Sequence, residues 1–216
     1  KLDVGSNVQF GEGGAGTFSD GKLHTVVDNP RKKFIFEELA GAGASPDILI
    51  DAQPHIGTDK LREVVKNIRQ KIISLGGEVR FETCLTDIGI EDGKLVAGIF
   101  NGQEKIPAEE LVLAIGHSAR DTYQMLYEKE LEMKAKPFSM GVRIEHTAEM
   151  INRAQYGEFH AHPKLPTARY RLVAHLDLDR SVYTFCMCPG GTVVAAASEE
   201  GRLVTNGMSE EAQAGQ

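Results

Sequence analysis

The run of residues 10–22 constrains the fold more than any other segment, because five of its residues are glycine. Gly11, Gly13 and Gly16 match the pattern G-x-G-x-x-G. In dinucleotide-binding folds this pattern follows an apolar strand and opens a helix, whose N-terminus then faces the pyrophosphate. Neither the residues before Phe10 nor those after Gly16 show the required apolar periodicity. The run therefore does not begin a βαβ unit.

The same run also has the glycine spacing of a phosphate loop, through Gly16, Gly21 and Lys22. A phosphate loop needs a hydroxyl after its lysine to ligate magnesium, but Leu23 stands at that position. The sequence therefore excludes a kinase or nucleoside triphosphatase of this type.

Each of these glycines needs a physical reason, since glycine loses more backbone entropy on folding than other residues. Positive φ angles or the close approach of another group to the main chain supply such reasons. Two interpretations follow for residues 10–22. They form a solvated loop without a ligand, or they lie against a flat cofactor.

The composition is that of an ordinary globular protein, with 41% hydrophobic and 25% charged residues. A net charge of −7 and the lack of a clustered basic face argue against a nucleic-acid partner. No apolar run has the length of a membrane span, and the first five residues lack the apolar core of a signal peptide. We therefore expect no membrane partner and a cytoplasmic location. Three cysteines are too few for a secreted disulfide framework.

Local patterns in the first half predict both helices and strands. Asn29-Pro30 favours a short helix over 31–40. Thr58 is expected to cap a longer helix that keeps its apolar residues on one face as far as the glycines at 76 and 77. A strand beginning at 78–81 and strands around 96–100 and 103–106, the last two joined by an Asn-Gly turn, predict an antiparallel meander.

The next segment predicts a strand and a helix. Leu111 to Ile115 is an uninterrupted apolar run, which is typical of a strand covered on both faces in a parallel sheet. Ser118 and Asp121 are spaced as a capping box for the helix that follows.

Strand patterns dominate from Lys136 onward, interrupted by a helix that is expected to begin at Thr147 and run to Tyr156. The predicted strands are 140–145, 169–176, 181–187 and 192–197. We predict an α/β (α+β) chain with one domain over 1–135 and a mainly antiparallel domain over 136–216. The boundary is placed near 134–137.

Five motifs in a fixed order resemble a family of bacterial FAD-dependent dehydrogenases often labelled NAD-utilising dehydrogenases. They are Phe10–Leu23, Pro54–Leu61, Ala114–Asp121, Lys136–Arg143 and Cys188–Gly191. The resemblance implies a flavoprotein with two dinucleotide-binding domains, of which residues 1–135 are a partial, Rossmann-like FAD-binding domain and residues 136–216 a substrate domain. It also implies an internal fragment: the pyrophosphate-binding G-x-G-x-x-G would precede Lys1, and the last FAD-contacting segment would follow Met208. The isolated chain is then expected to bind FAD weakly or not at all.

The resemblance supplies a set of candidate cofactor-binding residues. In the glycine run, backbone N–H groups would do most of the binding. The candidates there are Gly13, Gly14, Gly16, Thr17, Ser19 and Asp20. Elsewhere they are Cys84, Leu85, Ala114, Ile115, Gly116, Gly190 and Gly191. Cys84 or Leu85 would bind adenine through the main chain, although the Cys84 thiol itself is better explained as a small buried hydrophobic group.

Two residues are candidates for catalysis. His117 follows the predicted strand at its carboxyl end, where it would transfer a proton or simply hydrogen-bond at a helix entry. Arg143 would bind a substrate carboxylate or form an ordinary ion pair. His55 and His175 are weaker candidates, and no spacing predicts a metal site.

Cys186 and Cys188 do not make a convincing redox pair. Alternate residues of a strand lie about 6.6 Å apart with parallel side chains, at the limit of disulfide reach. A turn beside the flavin at 188–191 is the better interpretation.

These features predict part of an FAD-dependent oxidoreductase that transfers a hydride to or from a small-molecule substrate, with NAD or NADP as a further electron partner. The alternative is a non-catalytic ligand-binding or regulatory domain that has kept the fold.

Overall fold

The computed structural model describes residues 2–3, 7, 9–18, 23, 29–50, 54, 56–177, 180–184, 187 and 191–208. Helices and antiparallel strands both occur, which confirms the predicted mixed α/β class. The chain divides into two compact units, Lys1–Leu75 with Val142–Gln216, and Gly76–Gly141. The predicted domains are defined by cofactor and substrate binding, so their boundary near 134–137 stays a prediction.

The described helices are α1 (Arg31–Gly41), α2 (Thr58–Ser74), α3 (Arg120–Glu128) and α4 (Ala148–Tyr156). Short 3₁₀ segments occur at Gly14–Phe18, Pro46–Leu49 and Gly157–Phe159. None of the helices in the described ranges combines the length and apolarity needed to cross a bilayer.

The first unit has its core between α2 and the segment after α1. Ala44, Ile48, Ile56 and Val64 are all at most 5% exposed. This arrangement follows from the amphipathic pattern of α2, whose apolar positions three and four residues apart face one side. The helix ends at Ser74 with Leu75 as its C-cap, and Gly76 follows with a φ of +87°, which glycine adopts without strain.

The same unit contains two hairpins. β4 (Val173–Leu176) pairs with β5 (Arg180–Tyr183), and β6 (Thr192–Ala195) pairs with β7 (Thr205–Met208), both antiparallel. The sequence patterns do not predict β7. The predicted strand 140–145 is wrong: these residues form no strand, and Met140, Val142 and Ile144 are largely exposed.

The second unit contains the meander β1 (Leu85–Glu91), β2 (Lys94–Phe100) and β3 (Glu104–Pro107), in the order β1-β2-β3. The predicted meander is thus confirmed, but its first strand begins at Leu85 and not at Glu78. Asp92 and Gly93 connect β1 to β2 with φ angles of +50° and +73°. Two successive positive φ angles define the turn that matches the twist of antiparallel strands.

Two expectations around α3 are wrong. Residues 111–115 form no strand, and Val112 is 88% exposed. A strand needs a neighbour for its backbone groups, and every strand pair formed by the described residues lies elsewhere and is antiparallel. The capping box is also not formed, because Ala119 is the N-cap of α3 and makes no side-chain cap bond.

Candidate functional site

The glycine run is described as far as Phe18 and packs against α2. Thr17 is buried, and its hydroxyl donates to the Glu12 carbonyl over 3.3 Å. Gly13 has a φ of +83°, and a Cβ there would lie 1.9 Å from Thr17 Oγ1 and 3.2 Å from Val65 Cγ2. The chain's own packing therefore requires glycine at position 13, whatever else approaches it.

The other glycines of this run differ in their surroundings. Gly11 has a φ of +97°, and a Cβ added to it would have no neighbouring atom within 4 Å, while its carbonyl accepts from Gly14 N over 2.9 Å. Gly14 has a φ of +49°, and a Cβ on Gly16 would make an ordinary contact with Leu61. Ser19 and Asp20, the last two candidates in the run, lie outside the described residues.

Cys84 is exposed, so the expectation of a buried thiol is wrong, and its main chain is already engaged within the second unit. Its N–H donates to Asn101 Oδ1 over 2.9 Å, and its carbonyl accepts from Asn101 N over 2.8 Å. Asn101 Nδ2 donates to the Glu82 carbonyl. Leu85 starts β1 opposite Phe100. An adenine at this position would have to use Leu85 or the second lone pair of the Cys84 carbonyl.

Gly116 presents open main chain. It has a φ of +67°, and nothing lies within 4 Å of where a Cβ would be. Tyr123, one turn into α3, donates its hydroxyl to the Gly116 carbonyl over 2.5 Å and so holds this loop against the helix. Ala114 is exposed and Ile115 half-buried. The space beside Gly116 is therefore open to a ligand, whereas the chain itself fills the space beside Gly13 in the first unit.

His117 is exposed, and its Nδ1 lies 2.7 Å from Ser118 Oγ. A hydrogen bond at one ring nitrogen fixes the ring and selects the tautomer, which leaves the other nitrogen to exchange a proton. The geometry therefore offers Nε2 of His117 for proton transfer.

Arg143 lies against β7. Its Nη2 donates to Asn206 Oδ1 over 3.2 Å, and Asn206 Oδ1 also accepts from Gly207 N over 2.9 Å. A Cβ on Gly207 would lie 3.0 Å from Arg143 Nη1. The missing side chain at Gly207 therefore makes room for the guanidinium.

Gly191 directly precedes β6, but Gly190 lies outside the described residues, as do His55, Cys186 and Cys188. His175 Nδ1 is 2.9 Å from Ser181 Oγ across the β4–β5 hairpin. This contact gives His175 a structural role.

The predicted site residues are distributed over both units. The first unit holds the glycine run, Arg143 and Gly191, and the second holds Cys84, Leu85 and residues 114–117. In the first unit, Arg143 lies against β7, the strand that pairs with β6. In the second unit, His117 lies just before the start of α3.

Sequence reasoning missed four residues that bond to the candidate residues or make room for them, namely Asn101, Tyr123, Asn206 and Gly207, and it missed a separate contact between His146 and Tyr170. The sequence predicts that Asn101 lies in a turn, but no local pattern predicts its side-chain bonds to Cys84 and Glu82. His146 Nε2 lies 2.8 Å from the Tyr170 hydroxyl, an interaction between residues 24 apart that no short pattern reveals.

Among the described residues, the clear pKa shifts belong to ion pairs of the second unit. A hydrogen bond from Lys129 lowers the pKa of Asp87. The Arg80–Glu104 pair, at 2.6 Å, lowers the pKa of Glu104 and raises the pKa of Arg80 through their mutual hydrogen bond. No group of three or more His, Cys, Asp or Glu side chains that could hold a metal occurs in the part of the chain that the structure describes.

Comparison with known proteins gives a relative that matches nearly the whole chain and a family that matches its carboxyl-terminal part. A protein of Clostridium beijerinckii (strain ATCC 51743 / NCIMB 8052), named "Uncharacterized protein", is 58% identical over 210 residues. The alignment covers 97% of this chain but 39% of the relative, so the chain spans well under half of that protein's length. Residues 137–216 match the family described as FAD-dependent protein, C-terminal domain-like, and this match supports a relation to FAD-dependent proteins.

Proposed function

We propose that this chain is part of an FAD-dependent oxidoreductase that transfers a hydride through the bound flavin, to or from a small-molecule substrate. The observation that carries the proposal is the match of residues 137–216 to an FAD-dependent family. The five motifs that resemble FAD-dependent dehydrogenases extend the same interpretation to the first half. Because the chain spans 39% of its relative, the activity belongs to the longer protein.

In this proposal FAD supplies the hydride-accepting ring, and the protein supplies binding and orientation. The open space beside Gly116 and Gly11 would allow the close approach of the phosphate-ribose part and the flavin, with Gly14 and Gly191 as further contacts. Ser118 would hold the His117 ring so that Nε2 can exchange a proton with the substrate. NAD or NADP would be the external electron partner.

The first test is the absorption spectrum of the purified full-length protein. We expect a yellow protein with bound flavin, whose absorption bleaches when NADH or NADPH is added without oxygen. A colourless protein that cannot be reconstituted with FAD would overturn the proposal. A yellow protein that no electron donor reduces would favour a non-catalytic ligand-binding domain.

A matched pair of variants tests the role of Gly116. Gly116 and Gly76 both have positive φ and open surroundings, so valine strains both in the same way. We expect Gly116→Val to lower the FAD content of the full-length protein and Gly76→Val to leave it unchanged. Equal FAD content in the two variants would show that Gly116 does not contact the cofactor.

A further inference from the structure

Arg143 is one of several surface arginines that have no carboxylate partner within the described ranges, whereas Arg69, Arg80, Arg153 and Arg202 each lie within 4 Å of a Glu carboxylate. Its polar partner is the neutral Asn206 Oδ1, at 3.2 Å. A guanidinium presents five donors in a planar fork, so one bond to an amide oxygen leaves most of them for another acceptor.

The guanidinium is also held in place. Asn206 is itself fixed, because its Oδ1 accepts from Gly207 N. Gly207 contributes by having no side chain, since a Cβ would lie 3.0 Å from Arg143 Nη1. A cation that is oriented in advance loses less entropy when it binds an anion than one on a mobile side chain.

This cation lies close to a predicted flavin contact along the β6–β7 hairpin. Gly207 pairs with Val193, and Gly191 is two residues before Val193 in the chain. Two residues of extended chain span about 6.6 Å. The hairpin therefore places Asn206 and Gly207, which the guanidinium contacts, opposite Val194 and Val193, two to three residues along the chain from Gly191, a predicted flavin contact.

We propose that Arg143 binds the carboxylate of the small substrate and that Asn206 and Gly207 position it. This inference rests on the proposed function, since a substrate must lie beside the flavin to exchange a hydride. Carboxylate and guanidinium match in geometry through two parallel N–H···O bonds. A single guanidinium balances one negative charge, which favours a carboxylate over a phosphate dianion.

The cleft at the other end of the same hairpin is not a competing anion site. It has a volume of about 490 Å³ and is lined by Asp3, Glu199 and Glu200, with Arg202 as its basic residue. Arg202 lies 3.7 Å from a Glu199 oxygen. Three carboxylates and one paired guanidinium would repel a carboxylate ligand.

The test is calorimetric titration of the full-length protein with benzoate, acetate, inorganic phosphate and the neutral analogue benzamide. We expect benzoate to bind the natural protein, and to bind Arg143→Met about 10- to 100-fold more weakly, because a charged hydrogen-bonded pair is lost. Benzamide should bind both proteins weakly. Arg153→Met is the matched control: Arg153 pairs with Glu149 at 2.8 Å, so benzoate affinity should stay unchanged.

Substitutions at and beside position 206 distinguish a role of Arg143 in binding from a role in stability. We expect Asn206→Asp to place a carboxylate on the guanidinium, which abolishes benzoate binding while the melting temperature stays the same or rises. Gly207→Ala should weaken benzoate binding about 3- to 10-fold by displacing the guanidinium. These two variants keep the arginine, so they also serve if Arg143→Met fails to fold.

Several results would overturn the inference. They are equal benzoate affinity in Arg143→Met and the natural protein, tighter binding of phosphate than of benzoate, and no binding of either carboxylate by the natural protein. Flavin content, measured on the same samples, distinguishes this failure from failure of the proposed function. A colourless protein that binds benzoate through Arg143 rejects the oxidoreductase, whereas a yellow protein indifferent to Arg143 rejects the carboxylate site.

Discussion

The meander of residues 85–107 and the apolar segment 111–115 are separated by three residues, yet they behave in opposite ways. Ala97, in the central strand β2, is fully buried, and Ile88, in the neighbouring strand β1, is 5% exposed. Val112 is 88% and Leu113 41% exposed, although the segment is more apolar than any meander strand. Hydrophobicity alone therefore does not decide burial here.

The difference lies in where the hydrogen-bond partners come from. Each meander strand pairs with the next one in sequence across a short turn, so the hydrogen-bond partners of its backbone lie close to it in the chain. Segment 111–115 would need strands from distant parts of a chain to satisfy its backbone groups. Within the described residues no such strand lies beside it.

The largest predicted effect comes from placing aspartate at a buried position of the meander and at an exposed position of segment 111–115. Ala97→Asp would bury an unpaired carboxylate at a position that is 0% exposed, so we expect a loss of more than about 3 kcal/mol in the free energy of unfolding. Val112→Asp should change it by less than about 0.5 kcal/mol. Denaturant titration of the 216-residue chain measures both values.

The same pair sharpens the comparison in the longer protein. If Val112→Asp is neutral in the 216-residue chain but costs more than about 2 kcal/mol in the full-length protein, residues outside this chain cover the segment. A large cost in the short chain would contradict the exposure of Val112.

The elements that sequence predicted well are those with local determinants. Helix α4 begins after Thr147, whose hydroxyl accepts from Met150 N as expected. Helices α1 and α2 end within one or two residues of their predicted limits, close to the glycines that terminate them.

The elements that sequence missed depend on distant partners or on ambiguous residues. β7 contains Asn206 and Gly207, which by themselves indicate a turn, and it becomes a strand because β6 pairs with it. The predicted beginning of β1 is too early, although the Asp92-Gly93 turn marks where it ends. In the candidate site, Arg143 and His117 are identified by residue type, but the bond from Arg143 to Asn206 follows from the fold, as does the bond from Tyr123 to the Gly116 carbonyl.

The second prediction concerns the glycine run, where local packing and cofactor contact give different results. A Cβ on Gly13 would meet Thr17 Oγ1 at 1.9 Å and has an unfavourable φ, so we expect Gly13→Ala to lower the free energy of unfolding by about 2 kcal/mol. Gly16→Ala, with a Cβ 3.9 Å from Leu61, should be nearly neutral. A neutral Gly13→Ala that lowers only the FAD content of the full-length protein would instead assign this glycine to the cofactor.

The third prediction tests whether the turns determine the meander. Gly93 has a φ of +73° and open surroundings, so alanine there adds backbone strain and no clash. We expect Gly93→Ala to cost about 1 kcal/mol in unfolding experiments. Gly141 is equally open without positive φ, and Gly141→Ala should be neutral or slightly stabilising. Equal effects at the two positions would mean that the turn does not determine the pairing.

The smallest predicted effect comes from the ion pair between the meander and α3. Lys129 Nζ lies 2.9 Å from Asp87 Oδ1, and its hydrogen bond lowers the pKa of Asp87 in the folded state. A carboxylate with a lowered folded pKa binds fewer protons folded than unfolded, so its stabilisation is present above its ordinary pKa near 4 and is lost as the pH falls through the folded value. Both side chains are about two-fifths exposed, which limits the contribution through solvent screening.

We therefore expect Asp87→Asn to lower the melting temperature by a few degrees at most at pH 7, and the difference from the natural chain to shrink below pH 4. The pKa of Glu104 is also lowered, so stability supplied by Glu104 is lost over the same acidic pH range. The matched controls are therefore Glu104→Gln and the double variant Asp87→Asn with Glu104→Gln. If the two single effects add and both vanish at low pH, each pair acts independently. If the melting-temperature difference between Asp87→Asn and the natural chain instead grows as the pH falls, the pKa of Asp87 is not lowered in the folded state. The Asp87–Lys129 pair would then not stabilise the contact between the meander and α3.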